Sequence, residues 1–295
     1  MEGIKHTLSK VKGDSHEPSG LEKDMQPKPS KVHLAESTAY TASNKLQGKK
    51  ALISGGDSGI GRSIAILFAM EGAKVAIVYL QAEEEDAKHT KEQIEKNGGE
   101  ALLIPADLTE AANCKMVVDK VKEAFGGIDI LVNNAATRKE QQDICDITDQ
   151  QWKETQAVNV DSYFYLTKCA LPLLSDGGSI INSASVDSYI GVPSRLDYAT
   201  SKGAIIAFTR GLSNQLVKKG IRVNAVAAGP VWTPLVESGV GSEGQQGHGL
   251  GNWTPMNKLG QPIHVATSYV FLASADSEFM SGQTLHPNGG IVVNG

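Results

Sequence analysis

Lys49-Lys-Ala-Leu-Ile-Ser-Gly-Gly-Asp-Ser-Gly-Ile-Gly-Arg-Ser-Ile-Ala-Ile-Leu-Phe-Ala-Met70 is the stretch that decides how this chain folds. Ala51 to Ile53 is a short apolar run, the mark of a buried strand. Gly55, Gly59 and Gly61 then make a G-x-x-x-G-x-G turn. Beyond it Ile60, Ile64, Leu67 and Phe68 recur at helical spacing, so the turn opens an amphipathic helix. A strand, a glycine turn and a helix N-terminus together form an anion site. Glycines admit a phosphate close to the backbone, the free amides point at it, and the helix dipole favours negative charge. Asp57, Ser58 and Ile60 lie inside the turn, and the hydroxyls of Ser54 and Ser58 add hydrogen-bonding groups. A tight strand-to-helix connection with no ligand has the same pattern, so the remainder of the chain has to choose.

The alternation continues outward from that stretch. Strands are expected at Val75 to Tyr79, Ala101 to Ile104, Ile128 to Val132, Ser179 to Ser183 and Ile221 to Val226, with a last short one at Gln283 to His286. Helices are expected at Glu83 to Lys96, Glu110 to Phe125, Thr148 to Val158, Tyr163 to Leu174, Tyr198 to Lys218 and Ile263 to Ala273. Short continuous apolar strands separated by helices mean a parallel sheet covered on both faces. The fold class is therefore α/β, a Rossmann-like doubly wound parallel sheet in one domain over residues 45–295. Residues 1–44 are polar, with Pro18, Pro27 and Pro29, and read as a mobile or surface-wrapping arm. Val32, Leu34 and Tyr40 could pin it to the body. Residues 233–256 are rich in glycine and read as a substrate loop. Sheets of this type bind ligands outside the carboxyl ends of their strands. Ser54-Gly55, Asp107, Asn133-Asn134 and Ser183 to Ser185 stand at such ends and should gather on one edge.

Composition sets limits on function. The chain has 295 residues and a net charge of -5, with no basic stripe carrying interleaved aromatics, so no nucleic-acid partner is expected. The three cysteines, Cys114, Cys145 and Cys169, are widely spaced and suggest neither a disulfide framework nor a metal site. Met1 to Lys12 lack a continuous apolar core, and no run of about 18 apolar residues occurs, so no membrane partner is expected and the location expected is cytoplasmic.

Tyr198-Ala-Thr-Ser-Lys202 is the second anchor. Residues at i and i+4 share a helix face, which sets Lys202 one turn from Tyr198. A free phenol titrates near pH 10 and is a weak base at neutrality. A neighbouring ammonium favours the phenolate, and a tyrosine so tuned can take a proton from an alcohol or give one to a carbonyl. Ser185 lies upstream after the fifth strand, and Asn159 lies on the segment before it.

In order along the chain, Ser54 to Gly61, Asp107, Asn133 to Ala136, Asn159, Ser185, Tyr198 with Lys202, and Gly229-Pro230 with Thr233 resemble the short-chain dehydrogenase/reductase family, over residues 46–295. The Gly-Gly-Asp-Ser-Gly-Ile-Gly turn, the Glu83 to Asp86 run and His286-Pro-Asn-Gly-Gly resemble its glucose and ribitol dehydrogenase branch. The resemblance implies an NAD(P)-dependent oxidoreductase that interconverts an alcohol and a carbonyl, on a sugar or polyol by analogy with the branch. Tyr198 would be the general acid/base, Lys202 would lower its pKa and hold the nicotinamide ribose, and Ser185 would bind the reacting oxygen. Asn159 would hold a water linking Lys202 to solvent. Gly55, Asp57, Ser58, Gly59, Ile60 and Gly61 would take the pyrophosphate side. Tyr79, Asp107, Leu108, Asn134 and Ala135 would line the adenosine side, and Pro230, Val231 and Thr233 the nicotinamide amide. Tyr79-Leu80-Gln81 offers neither the acid that grips NAD ribose nor an arginine for a 2′-phosphate, while Asp57 and Glu83 to Asp86 bring negative charge; the balance leans to NAD over NADP. A homotetramer is implied, with Tyr163, Tyr165, Leu166 and Phe208 as exposed-face candidates. Arg138, Arg195 and His248 are candidate substrate contacts near the cleft mouth. The rival reading is a non-catalytic dinucleotide-binding protein with a stress or structural role.

Overall fold

A computed structural model describes residues 20–35, 38–237 and 251–293. In the arm, β1 (His33–Ala35) pairs antiparallel with β2 (Thr38–Ala39). The main sheet holds β3 (Lys50–Ser54), β4 (Lys74–Tyr79), β5 (Glu100–Pro105), β6 (Ile128–Asn133), β7 (Leu174–Ser185), β8 (Arg222–Ala228) and β9 (Thr284–Leu285). All seven strands are parallel, in the spatial order β5-β4-β3-β6-β7-β8-β9. The order reverses between β3 and β6, which opens a crevice at their carboxyl ends.

The helices are α1 (Gly59–Met70), α2 (Glu84–Lys96), α3 (Ala111–Phe125), α4 (Asp149–Gln156), α5 (Ser162–Ala170), α6 (Asp187–Ile190), α7 (Leu196–Leu216), α8 (Pro234–Glu237) and α9 (Pro262–Ala273). Strand alternation sorts the core onto two faces. Ala51, Ile53, Val75 and Ile77 pack with α1, α2 and α9, while Leu52, Ala76 and Val78 pack with α3 and α5. Ile205 and Ile206 of α7 meet Ala225 and Ala227 of β8. Both faces of each central strand are thus buried, which is why the strands read as unbroken apolar runs.

Three boundaries differ from the sequence reading. The helix expected over residues 163–174 stops at Ala170 and gives way to a 3-10 turn over Leu171–Leu173, because Pro172 has no amide to continue the ladder. The strand expected from Ser179 begins at Leu174, with an irregular register between Ile128 and Ile130 on its neighbour. Between α4 and α5 the helix widens into a π-turn over Ala157–Asp161, where a single helix had been expected to end.

The apolar face expected for assembly also needs correction. Tyr163 and Leu166 are buried, and Tyr165 and Phe208 are half-buried. Positions 163, 166, 167 and 170 form the inward stripe of α5, so Phe164 is the residue left outside, together with Trp152 on α4.

The described part of the arm lies against the body. Met25 is fully buried, and Val32 and Tyr40 pack on the core, while Leu34 stays largely exposed. Glu22, in a 3-10 turn, carries the main anchor. Its carboxylate pairs with Arg62 of α1 and, at 2.7 Å, with Lys31, and it accepts the Gly59 amide at 2.7 Å. Arg62 also pairs with Asp86 of α2 at 2.8 Å. Farther along, Trp232 Nε1–H donates to the Pro27 carbonyl at 2.8 Å, and the Ser63 hydroxyl donates to the Lys31 carbonyl at 2.9 Å. The Ser30 amide donates to Gln261 at 2.8 Å. The arm therefore touches the glycine turn, α1, the segment after β8 and the start of α9.

Candidate active site

The glycine turn has the backbone that its sequence requires. Gly55 and Gly59 have φ of +63° and +51°, a region that side chains disfavour. A Cβ on Gly61 would sit 1.8 Å from the Gly55 carbonyl oxygen, so no other residue fits there. Ser54 ties this turn to β6: its hydroxyl accepts the amides of Asn134 at 2.9 Å and Ala135 at 3.1 Å. The Asn134 side chain donates to the carbonyls of Ser54 and Gly55 at 3.1 and 3.0 Å. Asn134 thus braces the turn with its amide group.

A cleft runs along the carboxyl ends of β3, β4, β5 and β6. Gly55, Asp57, Ser58, Gly59, Ile60, Tyr79, Asp107, Leu108, Asn134, Ala135 and Thr233 all border it, the convergence expected from their strand ends. Asp107 Oδ1 accepts the amide and hydroxyl of Thr109, which fixes the loop after β5. Tyr79 turns its hydroxyl to Glu84 at 2.7 Å. Asp57 and Glu83, expected to bring negative charge to the cofactor site, share the wall. Burial raises Asp57 to about 6, and burial together with the Asp57 charge raises Glu83 to about 8. The cradle of positive-φ glycines beside the cleft fits a dinucleotide, with its pyrophosphate against the amides of α1.

A second cavity joins the first through the shared walls Ile60, Asn134, Ala136 and Thr233. Ser185, Tyr198, Lys202, Pro230, Val231, Arg138, Asp187, Arg195 and Trp253 border it. Tyr198 and Lys202 occupy one face of α7, and the ammonium nitrogen stands 5.7 Å from the centre of the Tyr198 ring. Lys202 donates to the Ser183 carbonyl at 2.9 Å and to the Tyr163 hydroxyl at 3.2 Å. Ser183 and Ser185 both line the cavity, but the Ser183 hydroxyl is engaged by Tyr269 at 2.6 Å and Asn134 at 3.2 Å, so Ser185 is the better placed of the two to meet a substrate. The Asp187 amide donates to Ser185 Oγ at 3.1 Å, which leaves the serine O–H to donate toward the Tyr198 phenol in the cavity.

Asn159 sits buried in the π-turn. Its Oδ1 accepts the Thr137 amide at 2.8 Å, and its Nδ2 donates to the Thr137 carbonyl and the Ser201 hydroxyl, both at 3.0 Å. Ser201 in turn donates to the Tyr198 carbonyl at 2.7 Å. Asn159 thus joins the segment after β6 to the first turn of α7. Asp197 accepts from Gln151 and Thr155 of α4 and fixes the same turn from the other side.

The electrostatics reverse one expectation. The phenol of Tyr198 was expected to be unusually acidic. Burial, aided by the Asp187 carboxylate, instead raises its pKa, and Arg138, the Ser185 hydroxyl and Arg195 offset only part of that rise. Burial also brings Lys202 down to about 7. In so dry a pocket each charge is disfavoured before it can help its neighbour.

Arg138 and Arg195, read as candidate substrate contacts, both line the cavity. Arg195 does pair with Glu140 at 2.9 Å and Asp187 at 3.3 Å, but Arg138 is buried beside the cavity. His248 and most of the expected substrate loop fall outside the described residues; Trp253, at its far end, borders the cavity.

A family profile described as enoyl-(acyl carrier protein) reductase matches residues 55–292. The chain is 48% identical over 278 residues to the glucose and ribitol dehydrogenase of Daucus carota, covering 90% of this chain and 95% of that one. It is 49% identical over 278 residues to NADPH-dependent aldehyde reductase 1 of Arabidopsis thaliana, covering 90% and 96%. Among solved structures, a short-chain dehydrogenase from Burkholderia cenocepacia in complex with NADP superposes with a TM-score of 0.76 at 33% identity, covering 83% of this chain and 98% of that one. The chain belongs to the short-chain dehydrogenase/reductase family, in its glucose and ribitol dehydrogenase branch, and is an NAD(P)-dependent oxidoreductase acting between alcohols and carbonyls.

Proposed function

We propose that the protein works on a sugar or polyol, with Tyr198 as the proton-transfer group, and uses NAD in preference to NADP. The observation that carries the reading is the single cavity shared by Ser185, Tyr198 and Lys202, continuous with the glycine-turn cleft. When bound, the nicotinamide supplies or takes the hydride, and the protein manages one proton. In reduction the substrate carbonyl accepts a hydrogen bond from Ser185 and the proton of Tyr198. The raised phenol pKa keeps that proton in place at neutral pH. In oxidation Tyr198 must act as its conjugate base, so that direction gains as pH rises. Lys202 stands at the end of the proton path and holds the ribose. Asn159 positions the first turn of α7 through Ser201. Gly55, Ser58, Ile60 and Gly61 receive the pyrophosphate beside Gly59, whose amide is held by Glu22, and Pro230, Val231 and Thr233 meet the nicotinamide amide.

The preference for NAD rests on charge. Asp57 and Glu83 border the cleft, and no lysine or arginine is among its described lining residues. Asp57, at about 6, is ionised at neutral pH and repels a 2′-phosphate, while Glu83, held at about 8, offers a neutral carboxyl that hydrogen-bonds ribose hydroxyls. The ratio of kcat/KM for the two cofactors checks this directly; a clear preference for NADP overturns it. The assembly we propose is a cytoplasmic homotetramer joined through α4 and α5, whose exposed Trp152 and Phe164 supply apolar surface. No described helix is long and apolar enough to cross a membrane.

The decisive experiment is Tyr198→Phe. Positioned acid/base catalysis contributes about 10²- to 10⁴-fold, so turnover should fall by that factor while cofactor affinity stays within about threefold. A Phe variant with wild-type turnover removes Tyr198 from the mechanism.

A further inference from the structure

Among the described residues, Arg138 in the wall of the substrate cavity has guanidinium nitrogens with no hydrogen-bond acceptor. Its side chain is 6% exposed, and neither Nε nor Nη2 has a partner among the described residues. The nearest carboxylate oxygen, on Glu140, is 3.7 Å away, too far for a hydrogen bond. Glu140 is taken by Arg195 at 2.9 Å. Across the same wall Asp187 shows the mirror image. Its Oδ2 meets Arg195 at 3.3 Å, while the buried Oδ1 is unpartnered. An orphaned buried donor and an orphaned buried acceptor are each costly to leave unmade, and both border the cavity that holds Ser185 and Tyr198.

The charges around this wall balance, with Arg138 and Arg195 against Glu140 and Asp187. An anionic substrate group would be drawn to Arg138 but would also face two carboxylates. A neutral group that both accepts and donates satisfies both orphans at once, and a hydroxyl is such a group. We propose that Arg138 and Asp187 are a specificity pair that reads adjacent hydroxyls on the substrate carbon chain, one accepting from the guanidinium and the other donating to Asp187 Oδ1. The assignment rests on the cavity being the substrate site, as in the function proposed above, and adds the residues that separate hydroxylated chains from plain ones. Trp253 supplies apolar surface to the same wall.

The test separates binding from turnover. In cofactor-saturated Tyr198→Phe protein, ribitol and 1-pentanol are titrated calorimetrically, each against Arg138→Met and Asp187→Asn partners in the same background. Hydrogen bonds to charged groups translate to about 10- to 100-fold each, so either substitution should weaken ribitol by at least about tenfold and change 1-pentanol by less than about threefold. Arg138→Lys should recover part of the loss, since it keeps a donor. Equal losses for both ligands, absence of ribitol binding, or tighter binding of a carboxylated analogue of the same length would each overturn the pair. Turnover of ribitol by the wild type is measured in parallel. If binding follows the expected pattern while turnover is absent, the pair stands and the proposed reaction fails.

Discussion

Removing one carboxylate from the arm should loosen the enzyme at its glycine turn and α1. Glu22 is 4% exposed and serves three donors: Arg62, Lys31 and the Gly59 amide. In Glu22→Ala, Arg62 retains only Asp86 as a charged partner and Lys31 loses its counter-ion. The buried set is balanced at two cations, Arg62 and Lys31, against two acids, Glu22 and Asp86. Burial already lowers Lys31 to about 8, and Glu22 is the main group resisting that fall. Breaking one side of a buried pair costs about 3–5 kcal/mol. The orphaned Gly59 amide is part of the same loss, so the figures overlap. At roughly 2–4 °C per kcal/mol, the melting temperature should drop by roughly 10 °C. Should the arm detach before the body melts, the drop will be smaller and residues 23–34 will become open to protease. Thermal melting by circular dichroism, with limited proteolysis in parallel, reads both outcomes. A Glu22→Ala protein that keeps its melting temperature within 2 °C and its protease resistance, by this ~2 °C margin from the same slope, would refute the reasoning. Adding Lys31→Met should restore part of the stability, because the second change removes the stranded cation.

Two further outcomes follow from the same geometry. Gly61→Ala would bring a methyl to 1.8 Å from the Gly55 carbonyl, so the turn must open and cofactor affinity, read by fluorescence titration, should fall by at least about tenfold. Lys202 stands near 7 in the fold against 10.5 when free, so the folded protein binds fewer protons between those values. Its contribution to stability therefore rises with pH through that window, and the burden of the buried ammonium is greatest below it. Lys202→Met should accordingly lose activity while its melting temperature, compared with wild type, improves more at pH 6 than at pH 9, by a melting scan at about those two values.

Most of the fold was legible because each central sheet strand is buried on both faces. Runs such as Ala51 to Ile53 and Ile128 to Val132 have no partner but the core, and the glycines beside them permit one turn geometry. The site was legible wherever a residue stands at a strand end or one helical turn from another, as with Ser185, Tyr198 and Lys202. Interactions between distant segments left no local trace. Glu22 lies forty positions before Arg62, in a polar segment whose composition resembles a free chain. The only hint was Arg62 itself, a charge on a helix face otherwise buried. Asp187 hid behind Ser185, because a carboxylate after a strand end looks like a helix cap. The tuning of Tyr198 was misjudged for a related reason: spacing gives the neighbour, but not the loss of water that outweighs it.

The widened turn at Ala157–Asp161 lies inside one helical ribbon that runs from Asp149 to Ala170. Such a bulge is commonly a one-residue insertion in an ordinary spiral. Deleting any single position there would restore regular winding and rotate everything downstream by roughly 100°. Tyr163 would swing its hydroxyl off the lysine and Asn159 would release Thr137. Segment length, as much as residue identity, is therefore inherited at this point, and an alignment gap placed within it would be a sign of lost activity even with every signature residue retained.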